Sequence, residues 1–243
     1  METSSKHQTY FMPEDLEITH DHRIKKIHQD IHEKISEPDY PCVGAKASLN
    51  SNQYRIGIYG DMGCKKTTLE LGADLKKYIQ ETKESNSEYL TLIAVFSNEI
   101  TSELDFEKRL WGQLQELHDS EKEGQLWDPE VSDDPENKNF SYSFDGTAFF
   151  IVGLHPKASR KARNFKYPAM AFNLHQQFTN LRENGQFENM KNIIMTRDEA
   201  YDGSINPMLS DFGEHSEAPQ YSGRKVDELW KCPFFAGNIQ NKT

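Results

Sequence analysis

Cysteine is scarce in this chain of 243 residues, and the three present, Cys42, Cys64 and Cys232, form no CxxC pair and no even framework. A disulfide scaffold is therefore not expected, and the pattern suits a reducing, cytosolic setting. No apolar run approaches the roughly 20 residues that a membrane span needs. Met1 to Tyr10 is polar, so no secretory signal is expected. A surplus of basic residues is missing too: Lys and Arg total 28 against 39 Asp and Glu, a formal net charge of −11. That balance argues against nucleic acid or an anionic membrane as the main partner. It weakly favours a cationic small molecule. The chain also lacks G-x-S-x-G, which removes the usual sign of a Ser-His-Asp hydrolase. Internal repeats and low-complexity segments are absent.

What is present reads as one sizeable globular domain. The first 15 residues are polar, and residues 18–36 have a helical pattern rich in histidine, including His20, His22, His28 and His32. His28 and His32 share a helix face. The HQDIH run invites comparison with the zinc-protease HExxH motif, but Gln29 stands where the general-base glutamate belongs. Asp39-Tyr40-Pro41-Cys42 ends this helix. The expected division is thus a polar N-terminal extension with a helix over 1–38 and a main domain over 39–243. Arg55–Tyr59 reads as a strand, followed by Gly60-Asp61-Met62-Gly63-Cys64-Lys65-Lys66-Thr67 and a helix near 66–83. The placement imitates a phosphate loop. A Walker A loop has four residues between its glycines and a lysine after the second, and this one has neither.

Tyr89–Phe96 reads as a buried strand and 102–118 as an amphipathic helix ending at His118. The acidic stretch 119–138 is expected to be a surface loop, a candidate lid. Asp145-Gly146 predicts a hairpin between Phe140–Phe144 and Thr147–Val152. The second strand leads to His155-Pro156, where the proline suits the first turn of a helix. Tyr167–Phe172 is expected to be another strand, and Asn173 a cap for a helix over Leu174–Arg182. A further helix covers Phe187–Arg197. From Asp198 onward the chain reads as loop, long enough to suggest a pocket lining that includes Asn206, Glu217, Tyr221 and Arg224. The expected fold class is α+β, one domain with a central, mainly antiparallel sheet flanked by helices.

Several motifs, in order, resemble the YqcI/YcgG-like family. They are PCVGAKASL (Pro41–Leu49), RIGIYG (Arg55–Gly60), FEKRLWGQLQELH (Phe106–His118), GLHPKASR (Gly153–Arg160), NLHQQF (Asn173–Phe178), NPML (Asn206–Leu209), SEAPQYSGR (Ser216–Arg224) and WKCPF (Trp230–Phe234). The resemblance runs from about Tyr40 to Phe234. It implies a haem-dependent N-hydroxylase acting on a guanidino group of arginine or a relative. A haem-binding sensor or carrier without turnover is the alternative.

The residues can be weighed for that chemistry. N-hydroxylation needs an oxidant that no side chain supplies, so a cofactor must. The chain lacks GxGxxG, which disfavours a Rossmann site for NAD or flavin; electrons would come from an external donor, or peroxide would replace them. It lacks CxxCH, so a haem b would be held non-covalently. Candidate axial ligands are His155, His175, His118 and, as a thiolate, Cys42. Arg160 and Arg163 are candidates for the haem propionates because they follow His155 closely. Glu217 is the candidate carboxylate for a cationic substrate, with Asn206, Tyr221 and Arg224 around it. A monomer and a symmetric homodimer fit equally well.

Overall fold

The computed structural model describes residues 8–85, 87, 89–120 and 126–237. One six-stranded mixed sheet organises them. Its strands are β1 (Tyr10–Phe11), β2 (Tyr54–Ile58), β3 (Thr91–Val95), β4 (Tyr142–Phe144), β5 (Thr147–Leu154) and β6 (Ala169–Leu174), in the spatial order β1-β2-β3-β6-β5-β4. Only β2 and β3 are parallel, and the other four neighbouring pairs are antiparallel. A parallel pair needs a crossover, and the long helix α4 (Lys65–Glu84) provides it.

Strand alternation divides the core between the two faces. Leu92 and Ala94 point into one cluster with Leu71, Leu75 and Tyr78 of α4 and Phe106, Leu110 and Leu114 of α5 (Glu103–Ser120). Ile93 and Val95, between them, point to the other side. There they meet Ile27 and Ile31 of α2 (His22–Ser36), Leu16 of α1 (Pro13–Ile18) and Leu49 of α3 (Val43–Asn50). The stretch over 1–38 is therefore not an appendage where it is described. β1 pairs with β2, and α2 covers one face of the sheet because Ile27 and Ile31 lie on one helical stripe. Asp21 divides the expected single helix by capping α2 through the N–H groups of Arg23 and Ile24.

The hairpin forms where Asp145-Gly146 predicts it. Both residues have positive φ, 50° and 71°, and Phe144 pairs with Thr147. The helix expected at Pro156 does not form. The His155 N–H bonds to the Arg163 carbonyl (3.0 Å) and the Phe165 N–H to the His155 carbonyl (3.2 Å), so the chain closes a loop from 155 to 165. The Asn164 side-chain amide holds that loop by donating to the carbonyls of Pro156 and Ala158. Asn173 is the penultimate residue of β6 and not a cap. Its side chain meets Thr91 and the Phe150 carbonyl, and α6 (His175–Glu183) begins two residues later. The next helix, α7 (Phe187–Asp202), outruns its expected end and stops at Gly203 in the left-handed region. A short helix, α8 (Ala218–Tyr221), lies within the expected loop.

The lid expected over 119–138 falls partly on 121–125, outside the described residues. From 126 onward the segment is anchored. Trp127 packs against the core, and Asp128 accepts the Ala148 N–H at 3.1 Å. Among the described residues no helix is long and apolar enough to cross a membrane.

At Gly153, β5 lies close against α5 and α8. A Cβ there would lie 2.6 Å from a Phe106 ring carbon and 2.7 Å from the Tyr221 carbonyl oxygen. Gly153→Ala should lower stability by about 1–3 kcal/mol through overpacking. Urea unfolding of the variant would measure it; an unchanged midpoint would mean that α8 is free to shift away.

Candidate functional site

The β5–β6 ladder decides which candidate residues can work together. It runs from Phe149 opposite Leu174 to Leu154 opposite Ala169. His155 follows one end and His175 the other. At about 3.3 Å per residue they are separated by about 20 Å. They belong to different places, so Glu217 can act with only one of them.

At the first end His155 is fully buried and stacked on Phe106, with ring centroids 4.2 Å apart. Its Nδ1 accepts the Lys157 N–H at 3.2 Å, and its buried Nε2 has no partner among the described residues. A neutral imidazole that accepts at Nδ1 carries its proton on Nε2. Metal ligation through Nε2 needs the opposite tautomer, with Nδ1–H donated to an acceptor. Burial lowers the His155 pKa to about 4, with Glu103 opposing and Arg163 assisting. The arginines chosen for propionates are both engaged by the protein. Arg160 donates to Asp198 (2.8 Å) and to the Ser204 carbonyl (2.6 Å), with Asp202 at 3.5 Å. Arg163 donates to the carbonyls of Gly153 and Gln220, with that of Tyr221 at the limit of reach, and so ties α8 to β5. Burial lowers its pKa, and it makes no ion pair among the described residues.

The second end brings together His175, which opens α6, and Glu217, which precedes α8. Both are buried. His175 Nδ1 lies 3.9 Å from Glu217 Oε1, longer than a hydrogen bond, and has no other partner among the described residues. Nε2 likewise makes no hydrogen bond among the described residues, and unlike Nδ1 it is not a fully buried atom without a partner. The second carboxylate oxygen, Oε2, faces the hydroxyls of Ser141 (3.0 Å) and Tyr221 (3.3 Å). Each hydroxyl has one proton and a second acceptor, the Phe149 carbonyl, at 3.2 Å. They can therefore turn towards Glu217 when it ionises and towards Phe149 when it is protonated. Burial raises the Glu217 pKa to about 7; Ser141, Tyr221 and the more distant charge of Arg182 oppose that rise. Burial lowers the His175 pKa to about 4, and Arg182 adds to the effect. Burial thus shifts a carboxyl and an imidazole, side by side, towards their neutral forms.

Arg182 and Phe212 complete this end, and sequence reasoning missed both. Arg182 follows His175 by seven residues on α6, hence on the same face, and that spacing was legible. Its guanidinium lies 4.5 Å from the Phe187 ring centroid and 5.7 Å from that of Phe212. It makes no hydrogen bond or ion pair among the described residues. Phe212 packs edge-on against His175 at 4.3 Å, a contact that only the folded chain reveals.

The remaining candidates sit elsewhere. His118 donates from Nε2 to the Ala236 carbonyl at 2.8 Å, among Trp127 and Phe234. Arg224 clasps the buried Glu107 through two nitrogens, at 2.9 and 2.8 Å, so it is not a free pocket residue. Tyr221 is a fully buried core residue stacked on Trp111. Asn206 caps its own turn by accepting the Met208 N–H and meets Asp198 through its backbone. Cys42 caps α3 by accepting the Ala45 N–H, and burial raises its thiol pKa, against thiolate ligation. His28 bonds to the Tyr54 hydroxyl and His32 to Ser36, so HQDIH is satisfied within the protein. Among the described residues no group of three or more His, Cys, Asp and Glu side chains is gathered to hold a metal ion.

An α+β protein with a buried His–Glu pair at one end of its sheet is the class that this geometry defines. The chain belongs to the YqcI/YcgG family, whose model matches residues 31–235. It is 30% identical over 216 residues to a Bacillus subtilis (strain 168) protein described as uncharacterized protein YcgG, covering 84% of each chain. It is equally 30% identical, over 217 residues, to uncharacterized protein YqcI of the same organism, again over 84% of each. No solved structure matches it. The match begins within α2 and spans every residue of the His175–Glu217 end.

The raised pKa of Glu217 has a pH signature. The folded state holds this proton more tightly than the unfolded chain, so the associated stability is complete below pH 4.5 and is lost as pH rises through about 7. Glu217→Gln removes the titration. Relative to the parent, the variant should gain on the order of 3 kcal/mol between pH 4.5 and neutral-to-alkaline pH. Denaturant unfolding across that range checks it. Parallel pH profiles would show that Glu217 is solvated.

Proposed function

We propose that this chain is a haem-dependent monooxygenase that N-hydroxylates the guanidino group of a small cationic substrate such as arginine or a relative. The observation that carries the reading is the His175–Glu217 pair. An imidazole with neither nitrogen engaged, backed by a buried carboxylate at 3.9 Å, is the donor set of a carboxylate-oriented metal-ligating histidine. Haem b, when bound, supplies the oxidising chemistry that side chains lack.

The protein's own contribution follows from the geometry. A small closure lets Glu217 accept a hydrogen bond from His175 Nδ1–H, which fixes the tautomer with a bare Nε2. Ser141 and Tyr221 hold the far oxygen of the carboxylate and so set its direction. Arg182, with no ion pair among the described residues, is suited to a propionate, in place of Arg160 and Arg163. Phe212 offers an apolar wall. In this reading Glu217 orients the ligand and does not anchor the substrate. Attraction of a cationic substrate rests on the acidic surface as a whole. Electrons come from an external donor, or peroxide takes their place. The three free cysteines suit the cytosol.

Haemin titration of the purified protein should give a saturable Soret change at about one per chain. His175→Ala should abolish it, while His155→Ala and Cys42→Ser should leave it. Glu217→Gln should retain haem but raise its reduction potential, since a weaker hydrogen-bond acceptor makes the imidazole less electron-rich. Incubation with arginine and peroxide, or with a reductant and oxygen, should yield the N-hydroxyguanidine. Bound haem without product would favour the sensor or carrier alternative. A flat titration would end the haem reading.

A further inference from the structure

The Gly60–Thr67 loop fails the Walker A spacing, yet it folds where an anion would be received. It joins the carboxyl end of β2 to the amino end of α4, at the sheet end opposite His175. A cavity of about 430 Å³ opens there, lined by Arg23, Gly60, Asp61, Cys64, Lys66 and Thr67 among others.

Two independent observations give this cavity a ligand preference. The first concerns the helix end. The first turn-closing bond of α4 is the Thr68 N–H to the Cys64 carbonyl, at 2.9 Å. The N–H groups of Lys65, Lys66 and Thr67 precede it and have no carbonyl within the helix. Cys64, at the cap position, gives no side-chain hydrogen bond, and the first turn holds no acidic residue. Lys65 and Lys66 instead add positive charge to the positive end of the helix dipole. The second concerns Thr67, which is 1% exposed and lines the cavity. Its hydroxyl makes no hydrogen bond among the described residues. A hydroxyl on the cavity wall with its proton uncommitted can donate to an acceptor bound there.

We propose that this cavity binds a single phosphate group, as free phosphate or as the phosphate monoester of a small molecule. Backbone N–H groups at the start of α4 and the Thr67 hydroxyl donate to the phosphate oxygens, and Lys66 and Arg23 balance its charge. Lys66 is available because its contact with Glu70 is long, 3.7 Å, and its side chain is largely exposed. Arg23 has no ion pair among the described residues. Two carboxylates in the wall set the limit on charge. Glu70 is one, and Asp61, which accepts the Ser97 hydroxyl at 2.6 Å, is the other. They oppose a triphosphate, and the short loop offers no ring of N–H groups to enclose one. The site therefore selects one phosphate over a nucleotide triphosphate.

The test is amide NMR of the full chain, titrated with inorganic phosphate, glycerol 3-phosphate or ATP with Mg²⁺, with chloride at matched ionic strength as control. Inorganic phosphate or glycerol 3-phosphate should shift the Lys65, Lys66 and Thr67 amides saturably. Thr67→Val and Lys66→Gln should each weaken that binding by about tenfold. Tighter binding of glycerol 3-phosphate than of phosphate identifies a monoester as the ligand, and equal binding identifies free phosphate; both support the proposal. Overturning results are an absence of shifts, equal shifts with chloride, unchanged affinity in Thr67→Val, or tightest binding of ATP. Because Thr67→Val swaps groups of the same shape and Lys66 lies at the surface, both variants should fold, and their spectra outside the loop check this.

Discussion

The register between β5 and β6 is the constraint on which the rest depends. Six residue pairs, from Phe149–Leu174 to Leu154–Ala169, hold these strands at the centre of the larger antiparallel part of the sheet. Every inward side chain on one strand is then matched to one on the other, and a slip by one residue would turn Phe149, Ile151 and Phe172 out of the core. The same register separates His155 from His175. It also sets the bed on which α8 lies: Gly153 leaves room for the Tyr221 carbonyl, and Arg163 grips the carbonyls nearby.

Buried polar groups in this protein follow two regimes. Glu107 is matched. Arg224 donates to both of its oxygens, and Ser222 and Trp230 add further donors, so the tail after α8 is fastened to α5. Asp30 is matched in the same way by Lys166 and Tyr167, which hold α2 to the segment before β6. Glu217 and His175 are not matched to each other. Their nearest polar atoms are too far apart for a hydrogen bond, and burial moves both towards neutrality. A protein rarely keeps two such groups together for packing alone, since apolar residues of similar size would cost less. The contrast with Glu107 is the physical reason for placing function at this end.

The two ends of the sheet carry different chemistry. The edge that holds the start of α4 concentrates N–H donors and basic side chains around an open cavity. The opposite edge holds a nearly sealed acid–base pair beside Arg182, with aromatic rings on its flank. The parallel β2–α4–β3 unit produces the first arrangement by aiming a helix start at the carboxyl end of a strand. The antiparallel β5–β6 pair followed by α6 produces the second.

Local patterns determined much of this protein in advance. Asp145-Gly146 set the hairpin, because both residues tolerate positive φ. The apolar spacing of Phe106, Leu110, Trp111 and Leu114 set α5, and continuous apolar runs set β3 and β5. The mainly antiparallel α+β architecture followed from these, and the ordered motifs from Pro41 to Phe234 pointed to the family. The N-terminal segment was less legible: two residues of β1 are too few for a pattern, and only their pairing with β2 makes them part of the sheet. The candidate site was legible as a set of residues but not as groups. His155, Arg160, Arg163 and Glu217 all stood out in the sequence, yet only the tertiary structure decided that the arginines bind carboxylates and carbonyls of the protein itself. It alone also brought Glu217, from a loop, to His175 and Arg182 on α6. Periodicity is a property of neighbouring residues, and it reports which face of an element is buried. The partner of a buried polar group is chosen where distant segments cross, and that depends on strand register and loop closure, which no local pattern encodes.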